Sequence, residues 1–212
     1  MHKKVILIVC LLLLSGCKQI TDNNDYISKV YECLKEEKIT NEVSLGYKYY
    51  IPKGVKKIKD FDYNQVFLVD DCYLYLYVDI ISFFYNKELK VSSNNNTYYC
   101  KNFDFQGKNG YMEILENGDE YYLNIIYNYS KIEGYVPKEK INKIITLSSV
   151  ILNSIEYNHI VIEKILEGEL GQFSEFTYEV DKPEGASSNF SQILEEFVQK
   201  DEEEITEGLP DE

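Results

Sequence analysis

The hydrophobic pattern of this chain acquires a helical period directly after residue 24. Apolar side chains recur at i, i+3, i+4 and i+7, in the positions Ile27, Val30, Tyr31 and Leu34. Side chains spaced in this way share one face of an α-helix. Asn24 or Asp25 can accept hydrogen bonds from the first free backbone amides. The sequence therefore predicts an amphipathic helix over residues 25–38.

From residue 43 the apolar positions alternate with a period of two, which is typical of strands. Residues 43–51 form the first predicted strand, and a loop rich in Lys and Asp follows Pro52-Lys53-Gly54. The next two predicted strands are residues 65–69 and residues 72–84. The longer one has an aliphatic core face of Leu74, Leu76, Val78 and Ile80. Its opposite face carries Tyr73, Tyr75, Tyr77 and Asp79.

Two successive hairpins are predicted after residues 91–97, whose polar composition indicates a loop. The first joins residues 99–105 to residues 111–116. The second pairs residues 111–116 with residues 120–129 across Asn117-Gly118, because Asn-Gly readily adopts the positive φ angles of a type I′ turn. These strands form an antiparallel meander.

A second amphipathic helix begins at Pro137, which fits the first position of a helix. Its apolar stripe contains Ile141, Ile144, Ile145, Ser148, Ile151 or Leu152, and Ile155, opposite Lys138, Lys140 and Lys143. Residues 157–165 are predicted to form one more strand. An antiparallel sheet with one aliphatic face and two amphipathic helices predicts an α+β fold in which the helices cover that face.

The first apolar run of the chain is of another kind. Val5 to Leu14 follows the basic start Lys3-Lys4, and its ten residues span ~15 Å as a helix, about half of a bilayer core. The next residues, Leu14-Ser15-Gly16-Cys17, resemble the lipobox of bacterial lipoproteins. The resemblance implies a signal peptide over residues 1–16 and lipidation of Cys17, with residues 17–24 as a tether. We therefore expect lipid anchoring to the extracytoplasmic face of the cell membrane.

The predicted domain covers residues 25–166, and its elements carry a second resemblance. A leading helix, a strand ending in Ile51-Pro52-Lys53-Gly54, a meander, and a late helix closing in Leu152-Asn153-Ser154-Ile155 resemble the PsbP-like fold over about residues 25–162. That fold recurs in extracytoplasmic proteins that assist or stabilise larger assemblies. The resemblance assigns no functional residue in this chain.

Charge divides the chain into a near-neutral body and an acidic tail, residues 167–212. From Glu163 to the end, 16 acidic residues stand against 3 lysines. Within the tail, residues 189–200 are predicted to form a short amphipathic helix with the apolar positions Phe190, Ile193, Leu194, Phe197 and Val198. This helix can dock on its own domain or in the groove of a partner protein. The alternative is a solvated, disordered end.

Few residues are suited to catalysis or metal binding. All 22 basic residues are Lys, and without Arg we expect no nucleic-acid partner. The stretch Asp60-Phe61-Asp62-Tyr63-Asn64 has calcium-loop spacing, but Gln65 replaces the glycine that turns such a loop. His159 is expected to be an ordinary, half-exposed side chain, and a bridge between Cys72 and Cys100 stays open. We expect no catalytic residue, no metal and no cofactor.

The tyrosine-rich strand face is the remaining candidate site. The rings of Tyr73, Tyr75 and Tyr77, if exposed, can stack on a ligand beside Asp79 on the same face, although tyrosine also suits a half-solvated sheet face for structural reasons. The sequence thus predicts a non-enzymatic, lipid-anchored protein-interaction or assembly-assisting module with an unidentified envelope partner. The alternative is a ligand-binding lipoprotein that uses the tyrosine face.

Overall fold

The computed structural model describes residues 25–61, 63–87 and 98–169. These residues form a seven-stranded antiparallel sheet and a three-stranded antiparallel sheet, together with helices. The predicted α+β fold class is confirmed. The signal peptide, the tether, the loop at residues 91–97 and the tail helix at residues 189–200 lie outside the described residues.

The helices are α1 (Tyr26–Leu34), α2 (Ile80–Phe84), α3 (Ile141–Asn153) and α4 (His159–Leu166), and a short 3-10 helix (Lys138–Lys140) precedes α3. The first strands are β1 (Glu42–Ser44), β2 (Tyr47–Tyr49), β3 (Val55–Phe61), β4 (Asn64–Val69) and β5 (Cys72–Val78). The later strands are β6 (Tyr99–Phe105), β7 (Lys108–Asn117), β8 (Glu120–Tyr127), β9 (Ser130–Val136) and β10 (Glu156–Tyr157).

The large sheet consists of two meanders that meet at its centre. Its strand order is β3-β4-β5-β9-β8-β7-β6, so β5 of the first meander pairs with β9 of the second. A two-residue turn of Asn128 and Tyr129, both with positive φ, joins β8 to β9. At one edge, β3 carries three lysines and an irregularity between Lys57 and Lys59. Charged side chains and bulges on an edge strand discourage pairing with another chain.

Helices α1 and α3 cover one face of this sheet. Helix α1 packs on α3, and α3 packs on β8 and β9. The aliphatic positions of the strands fill the space beneath them, including Leu74, Leu76, Leu123, Ile125 and Ile132, all buried. Burying one such side chain contributes about 1.5–3 kcal/mol. The predicted core face of β5 is therefore confirmed for Leu74, Leu76 and Val78.

The small sheet, ordered β1-β2-β10, joins the same core through β2. Tyr47 and Tyr49 are buried, and the ring centroids of Tyr49 and Phe67 lie 6.3 Å apart. The hydroxyl of Tyr47 donates to Gln65 Oε1 over 2.9 Å. These contacts fix the small sheet against the helix-covered face of the large one.

Three predicted strands are wrong in extent or type. The strand predicted over residues 43–51 consists of two short strands, β1 and β2, which pair with each other because the chain turns at Gly46, a residue with positive φ. The strand predicted over residues 72–84 ends at Val78, because Asp79 accepts a hydrogen bond from Ser82 N and so caps α2. The strand predicted over residues 157–165 is helical from His159, where Asn158 accepts from Val161 N. Helix α4 buries Ile162 and Ile165. Ile162 and Ile165 lie against Gly46, and this tertiary packing outweighs the β-branched composition of the segment.

Two strands were absent from the prediction. Strand β3 was predicted as a loop, since its lysines and its irregular register break the alternation. Strand β9 follows a turn without the Asn-Gly signal, yet it lies at the centre of the sheet. Among the described helices, none has the length and apolar character needed to cross a bilayer.

Candidate functional site on the tyrosine face

The tyrosines of β5 point away from the helices. Alternation along the strand places Tyr73, Tyr75 and Tyr77 opposite the aliphatic core positions. The register adds further tyrosines from the neighbouring strands, namely Tyr111, Tyr122 and Tyr135. We call this side of the seven-stranded sheet the tyrosine face. The structure therefore brings the three predicted tyrosines together and surrounds them with others.

Exposure on the tyrosine face changes from one edge to the other. Tyr73 is 53% exposed and Tyr75 is half-buried, whereas Tyr77 is buried. Leu68 on β4 and Tyr135 on β9 are half-buried beside them, and Lys56 and Lys59 on β3 are exposed. We call these residues the open part of the face: Lys56, Lys59, Leu68, Tyr73, Tyr75 and Tyr135. Among the described residues of this face, Tyr73 is the most exposed ring, so a partner can reach the rings here.

A row of polar side chains crosses the buried part of the same face. The register aligns Glu113 with Asn124, Asn124 with Glu133, and Glu133 with Tyr75. Lys131 lies two residues from Glu133 on the same side of β9. All four polar side chains are buried, with exposed fractions of at most 7%. We call Glu113, Asn124, Lys131 and Glu133 the charged cluster.

Hydrogen bonds hold the charged cluster together. Tyr111 Oη and Asn124 Nδ2 each donate to the carboxylate of Glu113 over 3.0 Å. Tyr122 Oη donates to Glu133 Oε2 over 2.5 Å, and Lys131 Nζ lies 2.9 Å from Glu133 Oε1. Burial and the neighbouring Glu133 carboxylate raise the pKa of Tyr122, so its hydroxyl keeps the proton that it donates.

One polar atom of the cluster lacks a partner. The side chain of Asn124 is 1% exposed, and its Oδ1 accepts no hydrogen bond from any described residue. Two carboxylates and one ammonium group leave the cluster with one formal negative charge. Burying ion pairs seldom adds net stability compared with apolar packing. The cluster therefore serves better to fix the orientation of the tyrosine rings than to increase stability.

The fourth predicted residue, Asp79, does not share the open surface with the tyrosines. It follows the last residue of β5 and is 2% exposed. One carboxylate oxygen caps α2, and the other, Oδ2, has no hydrogen-bond partner among the described residues. Burial raises the pKa of Asp79. The structure thus gives Asp79 a helix-capping position in place of the predicted position on the strand face.

The residues of the charged cluster escaped the sequence prediction. Their signal was a polar residue between aliphatic neighbours, as in Met112-Glu113-Ile114 and Leu123-Asn124-Ile125. Such a pattern is ordinary for a strand with one solvated face. Only the register shows that Glu113, Asn124 and Glu133 meet.

The cysteines lie apart. Cys33, Cys72 and Cys100 are free. Cys72 belongs to the core beneath the helices, whereas Cys100 pairs with Glu113 on the tyrosine face. Three strands separate β5 from β6. The bridge between Cys72 and Cys100 that the sequence left open is therefore absent, because a disulfide needs Cα atoms within about 7 Å.

The other sequence candidates have plain surroundings. His159 is exposed at the start of α4, with its ring centroid 4.8 Å from that of Phe84. Asp60 lies 2.5 Å from Lys57 Nζ and also accepts from Gln65. Within the three described ranges, no group of His, Cys, Asp and Glu side chains is placed to hold a metal ion. Cys17 and the tail positions Phe190, Ile193, Leu194 and Phe197 lie outside those ranges.

Comparison with known proteins adds little to this geometry. No protein-family model matches the chain. No curated protein matches it either. A crystal structure of a protein from Bacteroides thetaiotaomicron VPI-5482 is similar with 13% sequence identity and a TM-score of 0.26. The similarity covers 52% of this chain and 44% of the length of that structure.

Proposed function

We propose that this chain is a non-enzymatic protein of the cell envelope that binds a partner protein through the open part of the tyrosine face. One observation carries the proposal: Tyr73 is 53% exposed on a sheet surface, beside two half-buried tyrosines, with two exposed lysines on the edge strand one strand further away. Tyrosine offers a large contact area with few rotatable bonds, and it is enriched at protein interfaces. A sheet held by the charged cluster presents these rings without reorganisation, which favours binding.

The location is part of the proposal. The lipobox resemblance at Leu14-Ser15-Gly16-Cys17 supports attachment of lipid to Cys17 at the extracytoplasmic face of the cell membrane. The tether is short, since α1 begins at Tyr26, where Tyr26 and Val30 are already buried. The domain would therefore stay close to the bilayer.

The anchor is tested by Cys17→Ser in cells that produce the full chain. We expect the variant to lose the lipid mass and to leave the membrane fraction, whereas Cys100→Ser keeps both. An unchanged mass and unchanged membrane association of Cys17→Ser would refute the anchor.

The binding surface is tested by placing a photo-crosslinking amino acid at Tyr73 in cells. Tyr85 is the matched control, because it is 56% exposed and follows α2, away from the open part. We expect a specific adduct from position 73 that position 85 does not give, and Tyr75→Ala should reduce its yield at least fivefold. Equal adducts from both positions, or no effect of Tyr75→Ala, would contradict the proposed surface. An adduct with a small molecule would favour the ligand-binding alternative instead.

A further inference from the structure

We infer that the acidic C-terminal segment, residues 189–200, docks on the open part of the tyrosine face of its own domain. The inference concerns the free protein and does not depend on the partner proposed above. The open part combines aromatic rings with positive charge that no ion pair among the described residues compensates, and residues 189–200 would occupy it.

The lysines of β3 show this charge most clearly. Lys57 points to the helix-covered side, where its Nζ lies 2.9 Å from Glu42 and 2.5 Å from Asp60. Lys56 and Lys59 align with Leu68 and Val66 on the tyrosine face, and both are exposed. Neither forms an ion pair with a described residue. The open part therefore has two cations at its rim without an ion pair among the described residues, and Leu68 and Val66 of β4 separate them from Tyr73 and Tyr75.

The segment has the matching chemistry. Its apolar positions are Phe190, Ile193, Leu194, Phe197 and Val198, and its charged residues are Glu195, Glu196 and Lys200. Asp201-Glu202-Glu203-Glu204 follows it directly. A helix of about ten residues is not stable alone in water and needs a surface to bury its apolar stripe. Tyrosine rings and Leu68 offer that surface, and Lys56 and Lys59 can pair with the carboxylates.

A second exposed apolar patch among the described residues is a poorer match in charge. Val43 of β1 is 79% exposed, and Ile39, which precedes this strand, is 92% exposed. The lysines beside them are already paired, since Lys38 contacts Glu36 and Lys48 contacts Glu156. An acidic segment would gain less there than at Lys56 and Lys59.

The connecting chain is long enough. Helix α4 ends at Leu166, and residues 167–188 can span roughly 70 Å when extended and about 25 Å as a random coil. A domain of this size has a radius of gyration of about 14 Å. The segment can therefore reach the tyrosine face from the end of α4.

Docking would have a consequence for binding. The segment would cover the same rings that we propose for the partner, so that the two would compete. Because the attraction is partly between exposed charges, it would weaken as salt is raised.

The test uses the purified full-length mature chain with a photo-crosslinking amino acid at Tyr73, and mass spectrometry of the products. We expect an intramolecular crosslink to residues 189–200, and none from the same amino acid at Tyr85. The double variant Lys56→Glu/Lys59→Glu should lower its yield at least fivefold. Lys35→Glu/Lys101→Glu, on exposed lysines elsewhere, changes the net charge equally and should not lower it.

Three results would overturn the inference: a crosslink from Tyr73 to another part of the chain, a crosslink to a second copy, or a yield that the Lys56 and Lys59 reversals leave unchanged. Far-UV circular dichroism of each variant verifies folding. Because no other protein is present, failure here leaves the proposed partner binding standing, and failure of the in-cell adducts leaves this docking standing.

Discussion

Asp79 is a carboxylate enclosed at the end of the central strand β5. Burial is the main cause that raises its pKa above the ordinary value of 3.8, and the hydrogen bonds from Ser82 oppose the shift. A raised pKa means that the folded state binds the proton more tightly than the unfolded state does. Asp79 therefore contributes its full stability below pH 3.8 and loses that contribution as the pH rises through the folded pKa.

Replacing Asp79 by Asn should stabilise the protein at neutral pH. Asn keeps an oxygen that can cap Ser82 N and carries no charge to bury. We expect urea unfolding to show a higher free energy of unfolding for Asp79→Asn at pH 7, and the gain should disappear near pH 3. Asp119→Asn, in the exposed turn between β7 and β8, is the control. A gain in the free energy of unfolding that persists at pH 3 would contradict the raised pKa of Asp79.

Lys131 is the ammonium group that faces Glu133 within the charged cluster. Lys131→Met should leave the buried carboxylate with one charged partner fewer, at a cost of about 3 kcal/mol in the free energy of unfolding. Lys143→Met breaks the ion pair between Lys143 and Asp70, in which both side chains are about half exposed. This substitution should lower the free energy of unfolding by less than about 1 kcal/mol. Equal losses would show that the Glu133 carboxylate does not need this partner. The measurement is urea unfolding of both variants.

Gly134 on β9 shows how closely β5 and β9 approach. A Cβ at this position would lie 2.4 Å from the backbone oxygen of Tyr73, which cannot move without breaking the central strand pair. Gly134→Ala should therefore lower the free energy of unfolding by about 2 kcal/mol. Glu120→Ala, at the exposed start of β8, serves as the control in the same unfolding experiment. A Gly134→Ala protein as stable as the parent would contradict the contact.

At the scale of elements, the side-chain amide of Asn153 adds hydrogen bonds to the packing of the two covering helices. Asn153, the last residue of α3, donates to the carbonyl oxygens of Leu34 and Glu36 over 3.2 and 3.1 Å. These carbonyls at the end of α1 have no partner within a regular helix. Asn153→Ala should cost about 1–2 kcal/mol and speed hydrogen exchange at the end of α1. Thr146→Ala, on the exposed side of α3, should change neither.

An element could be predicted from the sequence where its own apolar pattern stabilises it, and could not where contacts with distant residues do. Helices α1 and α3 were predictable because each presents a regular apolar stripe to one core. Helix α4 was not, since Ile160, Val161 and Ile162 favour a strand locally. Its helical form depends on the Asn158 cap and on contact with Gly46.

The candidate site, like the elements, could be predicted only in part from the sequence. Alternation in β5 predicted that Tyr73, Tyr75 and Tyr77 share one face. It could not reveal that Glu113 and Glu133 flank Asn124, because that juxtaposition depends on the register of β7, β8 and β9. Periodicity places a side chain on a face, whereas register decides its neighbours.

At the scale of the whole molecule, the sheet has a protected centre and exposed edges. Strands β5 and β9 are each paired on both sides, whereas β3 and β6 have one partner each among the described strands. We expect native-state hydrogen exchange of β5 and β9 amides to require global unfolding, and β3 amides to exchange first. Mass spectrometry of peptides that cover each strand measures this order. Protection of β3 equal to that of β9 would contradict it.

The junction of the two meanders also constrains how the chain can be completed. Strand β5 finds its second neighbour only when β9 has been made, since Val78 pairs with Ser130. A nascent or prematurely terminated chain that stops before β9 would present β5 as an uncovered edge, with tyrosines on one side and leucines on the other. Such edges pair indiscriminately with other chains. The pairing that protects the centre of the finished sheet would therefore leave partial chains prone to aggregate.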